Sequence, residues 1–177
     1  MPRQFDFDAD KALAATAYLA GHTGESMYPI FKMLYLVDRL HLERYGRPVT
    51  GDRYVAMKEG PAPSAIYDCM KVLRGDRQFS TCPNAEAFLE VNPRTHDVSV
   101  RKMPEMDVMS ATDMECLEAI IEAYKTRGSK YVVEQSHDEA WKATSKNRFM
   151  DIMTIAATLK DGPVLTQHLA ERFTEKT

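Results

Sequence analysis

Residues 29–42 read PIFKMLYLVDRLHL, and apolar residues in this segment occupy nearly every side of a helix drawn through it. A surface helix carries one apolar stripe, whereas a helix that is apolar on most sides has neighbours on most sides. The other elements are therefore expected to pack around this central helix. Pro29 suits the first helical turn, Gly46 predicts a left-handed end, and Lys32 must extend to solvent or find a partner.

The segments that flank the central helix predict a helix before it and a short strand after it. The sequence FDFDADKALAATAYLAG offers Asp8 or Asp10 as the helix cap and Gly21 as the helix end. After the central helix, the β-branched and aromatic residues around Tyr54 predict a short strand that stops before Gly60.

A third helix and a β-hairpin are predicted next along the chain. Pro61 and Pro63 are expected at the entry of the helix, and Gly75 at its end. Residues 88–91 and 98–101 are predicted to be the two strands of a hairpin, with Asn-Pro in the connection between them. With the strand near Tyr54, these two strands are expected to form a small antiparallel sheet.

Helical patterns return in the last third of the chain. Ser110 or Thr112 is expected to cap a helix that Gly128 ends, and Ser129 to cap a shorter one. Residues 149–159 and the run VLTQHLAERF predict two more helices. The fold class is therefore mostly α (α+β), with helices packed round a central buried helix and a small two- or three-stranded antiparallel sheet. Residues 1–177 are expected to form a single domain.

The overall composition restricts the environment and the partners of the chain. Cys69, Cys82 and Cys116 are odd in number and form no C-x-x-C pair, and no signal peptide is evident, so a cytoplasmic location is expected. No apolar run approaches the about 18 residues that span a bilayer. A net charge of −3 gives no reason to expect direct nucleic-acid binding.

Charge is unevenly distributed along the chain. Residues 26–75 carry eight Lys/Arg and five Asp/Glu, whereas residues 104–141 carry nine Asp/Glu and three Lys/Arg. Two interpretations remain open: either the acidic helix faces pair with the basic half of the same molecule, or they attract a basic protein partner.

Motifs of common enzymes are absent from the sequence. It contains no phosphate-binding glycine loop and no G-x-S-x-G motif. The run His137-Asp138-Glu139 resembles the start of a zinc helix, but Trp141 occupies the position of the second histidine. Ser136 is expected to cap a helical turn, with Glu139 in the capping-box position, rather than to form a relay with His137. No catalytic role, metal or cofactor is therefore expected.

Trp141 and the eleven methionines each allow a structural and a functional interpretation. The tryptophan is expected to anchor the core through one acceptor for its indole N–H, or alternatively to form an interface hot spot. Methionines are typical core filler, but a methionine-rich surface also adapts to different partners.

Four sequence blocks resemble the SocA-like antitoxin family, also called the Panacea domain, and they occur in the same order as in that family. They are KMLYLVD at 32–38, YGRPVTGDRYVA at 45–56, KEGPAPSAIY at 58–67 and SHDEAW at 136–141. The positions that carry the resemblance, termed the signature positions, are candidates for partner binding: Lys32, Tyr35, Asp38, Gly46, Tyr54, Gly60, Pro61, Tyr67, Ser136, His137 and Trp141.

The resemblance implies a mostly helical bacterial or phage antitoxin that binds a cognate protein toxin encoded by the adjacent gene. Two alternatives are a proteolytic adaptor that delivers its bound partner to a cytoplasmic protease, and a hydrolase or transferase. The last would require His137, Asp38 and Tyr54 to converge in an open pocket. His137 is otherwise expected to hydrogen-bond a backbone carbonyl.

Overall fold

The computed structural model describes residues 3–175, and its central element is helix α2, Met27–Tyr45. This helix is buried over most of its length, as predicted, and it includes the buried polar residues Lys32, Asp38 and His41. Gly46 ends it in the left-handed conformation, with φ of 72° and its N–H bonded to the carbonyl of Leu42 at 3.0 Å. The predicted central helix and its glycine end are confirmed.

Helix α1, Ala9–Thr23, packs on α2 and begins after the cap Asp8, whose side chain accepts from the Lys11 N–H. The prediction that Gly21 ends this helix is wrong, because the helix continues to Gly24. Gly24 has φ of 65° and donates to the Ala20 carbonyl. Many helices end at a residue in the left-handed region, and here the second of the two glycines adopts it.

Strands β1, Tyr54–Met57, and β2, Gly60–Pro63, form an antiparallel hairpin, and β2 packs on α2. Pro61 and Pro63 were expected at the entry of the next helix. Both lie in β2, but Pro63 also directly precedes helix α3, Ser64–Leu73, so the prediction is wrong for Pro61 only. A residue that precedes proline is pushed out of the helical region towards extended geometry. Proline also suits the first turn of a helix, so the local sequence allows either arrangement, and the pairing of residues 60–63 with β1 selects the extended one.

Strands β3, Leu89–Val91, and β4, Val98–Val100, form a second antiparallel hairpin, as predicted. The two hairpins do not join into one sheet. The free edge of β1 is occupied instead by residues 147–150, through bonds from Ala56 N to Arg148 O (2.9 Å) and from Met150 N to Tyr54 O (2.8 Å). Residues 3–175 therefore form two small sheets.

The C-terminal third of the chain is helical. Helix α4, Ala111–Ser136, begins with a capping box formed by Ser110 and Asp113 and is interrupted at Gly128, where φ is 85°. Because residues 149–150 pair with β1, the helix predicted over 149–159 is shortened to Ile152–Ala157. The remaining helices are α5 Glu139–Ala143, α6 Ile152–Ala157 and α7 Gly162–Glu175.

The packing around α2 explains this arrangement. Helices α1, α4 and α6 and strand β2 all contact it, and α4 makes the most extensive contact. The buried apolar residues form one continuous cluster. Over residues 3–175, no helix combines the length and apolar character that crossing a bilayer requires.

Candidate functional site

A buried carboxylate on α2 holds the segment that follows this helix. Asp38 is 4% exposed, and its Oδ1 accepts the backbone N–H groups of Val49 and Thr50, both at 2.8 Å. Its Oδ2 accepts the hydroxyls of Thr50 at 2.5 Å and Tyr54 at 2.7 Å. Burial raises the pKa of Asp38, and these four hydrogen bonds oppose the rise. The network fixes the start of β1 against the middle of α2.

A second carboxylate joins α2 to α5. Asp138 Oδ2 accepts the hydroxyl of Tyr35 at 2.7 Å and the guanidinium of Arg39 at 2.8 Å. Its Oδ1 accepts the backbone N–H of Trp141 at 2.9 Å, which caps α5. Burial, together with the nearby Asp138, raises the pKa of Tyr35, so the phenol stays protonated and donates. The side chain of Asp138 thus caps α5 and also binds α2.

The expectation that Ser136 caps α5 is wrong. Ser136 is buried, and its hydroxyl donates back to the carbonyl of Val133 at 2.6 Å, within the last turn of α4. Glu139 is also not part of a capping box, and its carboxylate contacts Lys142 at 2.9 Å. Asp138 provides the cap instead, because Ser136 is still the last residue of α4, whereas Asp138 has the extended backbone of a cap residue directly before α5.

Four further signature residues meet where β2 passes α2. Lys32 is 2% exposed, and its Nζ donates to the carbonyl of Pro61 at 2.9 Å. Burial lowers the pKa of Lys32 to about 8, and the nearby Glu59 opposes this shift. Gly60 has φ of 102°, and a Cβ at this position would lie 2.7 Å from His137 Nε2 and 3.1 Å from Lys32 Cε. Glycine is required here both by conformation and by space.

His137 and Trp141 complete this contact. Their rings are 4.5 Å apart between centroids, with an interplanar angle of 34°. The indole N–H of Trp141 donates to the Met57 carbonyl at 3.0 Å, as predicted for a core anchor. His137 Nε2 is buried, and within residues 3–175 it has no hydrogen-bond partner, so the expected bond to a backbone carbonyl is wrong for this nitrogen.

The three residues that a hydrolase would require are divided between two places. Asp38 and Tyr54 bond to each other and line a cavity, whereas His137 packs on Trp141 and is not among the lining residues. Tyr67 lies apart from both groups, with its ring 5.2 Å from that of Phe31. Within residues 3–175, no cluster of His, Cys, Asp and Glu has the arrangement of a metal site.

The cavity has a volume of about 370 Å³ and lies between the N-terminal segment, α2, the segment before β1 and the start of α6. Sequence reasoning missed its main polar residues. Asp52 accepts the N–H groups of Ala65 and Ile66, both at 3.0 Å, and so caps α3 from outside. Burial raises the pKa of Asp52 to about 6. The guanidinium of Arg53 stacks on the ring of Phe149 at 3.7 Å.

The unequal distribution of charge along the chain is largely compensated by ion pairs within the molecule. Three ion pairs connect basic residues of α2 and the loop after it to acidic residues of α4 and α5, which favours the intramolecular interpretation. These pairs are Arg39–Asp138 at 2.8 Å, Arg44–Glu115 at 2.6 Å and Arg47–Asp113 at 3.0 Å. Among the acids of residues 104–141, those that are exposed and form no ion pair within residues 3–175 are Glu105, Asp107, Glu118 and Glu122, of which Glu118 accepts the hydroxyl of Tyr18.

Comparison with known proteins gives one match. The family model for the SocA-like antitoxin, Panacea domain, matches residues 30–142, which is well over half of the chain. Neither curated proteins nor solved structures gave a match. The matched range contains most of α2, both hairpins, the Asp38 and Asp138 networks and the contact of Gly60 with His137. The chain belongs to the SocA-like antitoxin, Panacea domain family.

Proposed function

We propose that this protein is the antitoxin of a type II toxin–antitoxin pair and neutralises its cognate toxin by direct binding. The toxin is expected to be the product of the adjacent gene. The observation that carries the proposal is the family match over residues 30–142. Inhibition would come from occlusion of the toxin in a stoichiometric complex, through an interface of about 1,600 Å² in total, the usual size for stable complexes.

The contacts that the signature residues make within the chain support this proposal. Hydrogen bonds within the chain occupy the side chains of Lys32, Asp38 and Tyr54. The main effect of these residues is therefore to hold α2, the 49–54 segment and β2 in one arrangement. A rigid surface loses little entropy on binding and is well suited to a protein partner. A direct contact of the signature residues with the partner remains a prediction.

Co-expression tests the proposal. The adjacent gene is expressed from an inducible promoter in bacteria, alone and together with this chain, and growth is measured. Arrest that this chain reverses, with copurification of both proteins at a fixed ratio, is the expected result. A neighbour that is harmless alone, or that still arrests growth in the presence of this chain, would contradict it.

The fate of the partner separates sequestration from delivery to a cytoplasmic protease. The half-life of the toxin is measured after translation is stopped, with and without this chain. Sequestration predicts a half-life that is unchanged or longer, because the bound toxin is shielded from proteolysis. A shorter half-life that returns to normal in a protease-deficient strain would assign the adaptor role instead.

A further inference from the structure

The cavity of about 370 Å³ has the size of a ligand site and is open to solvent at one end. Its volume falls within the range of about 300–1,000 Å³ that is typical of ligand pockets. Arg3, Phe149 and Asp151 line it and are exposed, and Phe149 is 46% exposed. The apolar part of the wall includes Ile152 and Ile155. The cavity can therefore receive a group that is brought from outside.

Two of the three arginines that line the cavity have no anionic partner within residues 3–175, whereas the third, Arg39, is paired with Asp138. Arg53 stacks on Phe149, and neither Arg53 nor Arg3 has an ion pair or a side-chain hydrogen bond within residues 3–175. Arg172 lies 5.0 Å above the ring of Phe5, which lines the cavity, and its buried Nε has no hydrogen-bond partner in the same range. A guanidinium held flat on an aromatic ring keeps its N–H edge free for a planar anion.

The acidic residues of the lining form no ion pair with Arg53 or Arg3 within residues 3–175. Asp38 gives both oxygens to Val49, Thr50 and Tyr54. Asp52 gives both oxygens to backbone N–H groups, and Asp151 caps α6 through Met153 N at 2.8 Å. The oxygens of these carboxylates are thus directed at neutral donors of the protein itself, and the N–H groups of Arg53 and Arg3 keep no acidic partner within residues 3–175.

We propose that this cavity binds a carboxylate that sits next to an apolar side chain on the toxin, with the Arg53 guanidinium as its partner. The carboxylate would lie along the N–H edge of Arg53, and the apolar group would pack between Phe149, Ile152 and Ile155. This inference rests on the proposed function for the identity of the partner, but the chemistry of the cavity can be tested without it.

The first experiment uses a small probe and methyl NMR of the complete chain. N-acetyl-L-phenylalanine carries a carboxylate beside an apolar ring, and its amide, N-acetyl-L-phenylalaninamide, lacks the charge. We expect the acid to shift the methyl signals of Ile152 and Ile155 in a saturable way and to leave those of Val164, on α7, unchanged. The amide should bind at least about tenfold more weakly, because a charge-assisted bidentate bond is lost.

Three results of this titration would overturn the proposal. They are no shift with either compound, equal binding of both compounds, and binding of the acid that persists unchanged in the Arg53→Ala variant. Shifts of the same methyl signals by a single-stranded oligonucleotide, without an effect of the acid, would also overturn it and would assign the cavity to nucleic acid.

The second experiment measures the affinity for the product of the adjacent gene. Arg53→Ala should weaken the complex at least about tenfold, because it removes one partner of a desolvated charge pair. The matched control is Arg127→Ala: Arg127 also stacks on an aromatic ring, that of Tyr131 at 4.1 Å, but outside the cavity. This control should change the affinity less than about twofold, and circular dichroism should show both variants folded.

The outcomes separate this inference from the proposed function. A folded Arg53→Ala variant that binds the toxin as tightly as the original chain overturns the cavity as the toxin site and leaves the antitoxin role intact. A neighbouring gene product that does not bind even the original chain contradicts the antitoxin role. In that case the titration with the acid and the amide still decides whether the cavity is a carboxylate site.

Discussion

Lys32 places an ammonium group in the interior of the protein, where the residue is 2% exposed and Nζ donates to the Pro61 carbonyl. Burial disfavours the charged form, so the pKa falls from 10.5 to about 8. The folded protein therefore binds this proton less tightly than the unfolded chain does. The hydrogen bond to Pro61 fixes the turn at Gly60, but the charge opposes folding near neutral pH.

Measurements of stability over a range of pH test whether the buried charge of Lys32 opposes folding. The unfolding free energy of the original chain should rise relative to that of Lys32→Met as the pH increases from about 8 to about 10, by up to about 3 kcal/mol. The sign follows because the unfolded state holds more protons in this window. Urea titrations at each pH measure it, and Lys71→Met, on the surface of α3, is the control. Parallel curves for the Lys32 and Lys71 variants would contradict the prediction.

Gly60 combines a left-handed backbone with a lack of space for a side chain. We predict that Gly60→Ala lowers the unfolding free energy by about 2–4 kcal/mol, since a Cβ would meet His137 Nε2 at 2.7 Å. Gly75→Ala is the matched control, because Gly75 has φ of 88° but open space around it. Urea unfolding should show a clearly smaller loss for Gly75→Ala. The double variant Gly60→Ala, His137→Ala should recover part of the difference.

At the scale of the elements, helix ends that depend on neighbouring residues could be predicted from the sequence. Gly46 ends α2 through its own left-handed backbone, and Ser110 begins α4 through a capping box with Asp113. Each of these ends is determined by residues within a few positions of one another. For this reason the local sequence was sufficient to place the central helix and to narrow the start of α4 to Ser110 or Thr112, of which the structure uses Ser110.

Ends that depend on distant residues could not be placed in this way. Pro61 and Pro63 lie in a strand because that strand pairs with β1, and Asp138, not Ser136, caps α5 because Asp138 also binds α2. The partners in both cases come from other parts of the chain. Local composition alone therefore favoured the wrong alternative.

The double role of Asp138 leads to a prediction about α5. Asp138→Ala should lower the unfolding free energy by about 2–4 kcal/mol, because it removes a helix cap and also leaves Tyr35 and Arg39 without their acceptor. The control is Asp8→Ala, since Asp8 caps α1 but is exposed and makes no such bonds between helices. That variant should lose about 1 kcal/mol. Equal losses in urea titrations would mean that the bonds of Asp138 to α2 add nothing to its role as a cap.

At the scale of the whole molecule, the candidate cavity could not be predicted from the sequence. Asp38 and Tyr54 were found through the family resemblance, but Arg53 and Phe149 are 96 positions apart in the sequence and meet only because residues 147–150 pair with β1. No local pattern indicates that pairing. The same limit applies to charge. The sequence shows that acidic and basic residues are segregated along the chain, but only the fold shows that ion pairs of α2 with α4 and α5 compensate this segregation.

Most other elements pack on α2, and we therefore predict that the chain unfolds as one unit. Because α1, α4, α6 and β2 all pack on α2 and the buried apolar residues form one cluster, no part has a core of its own. Trp141, the only tryptophan, reports on the contact of α5 with β1, and far-UV circular dichroism reports on all helices. The two urea transitions should coincide, with a slope of about 1–3 kcal/mol per molar urea. Loss of ellipticity at a lower urea concentration than the change in Trp141 fluorescence would show that part of the helical shell unfolds independently of α2.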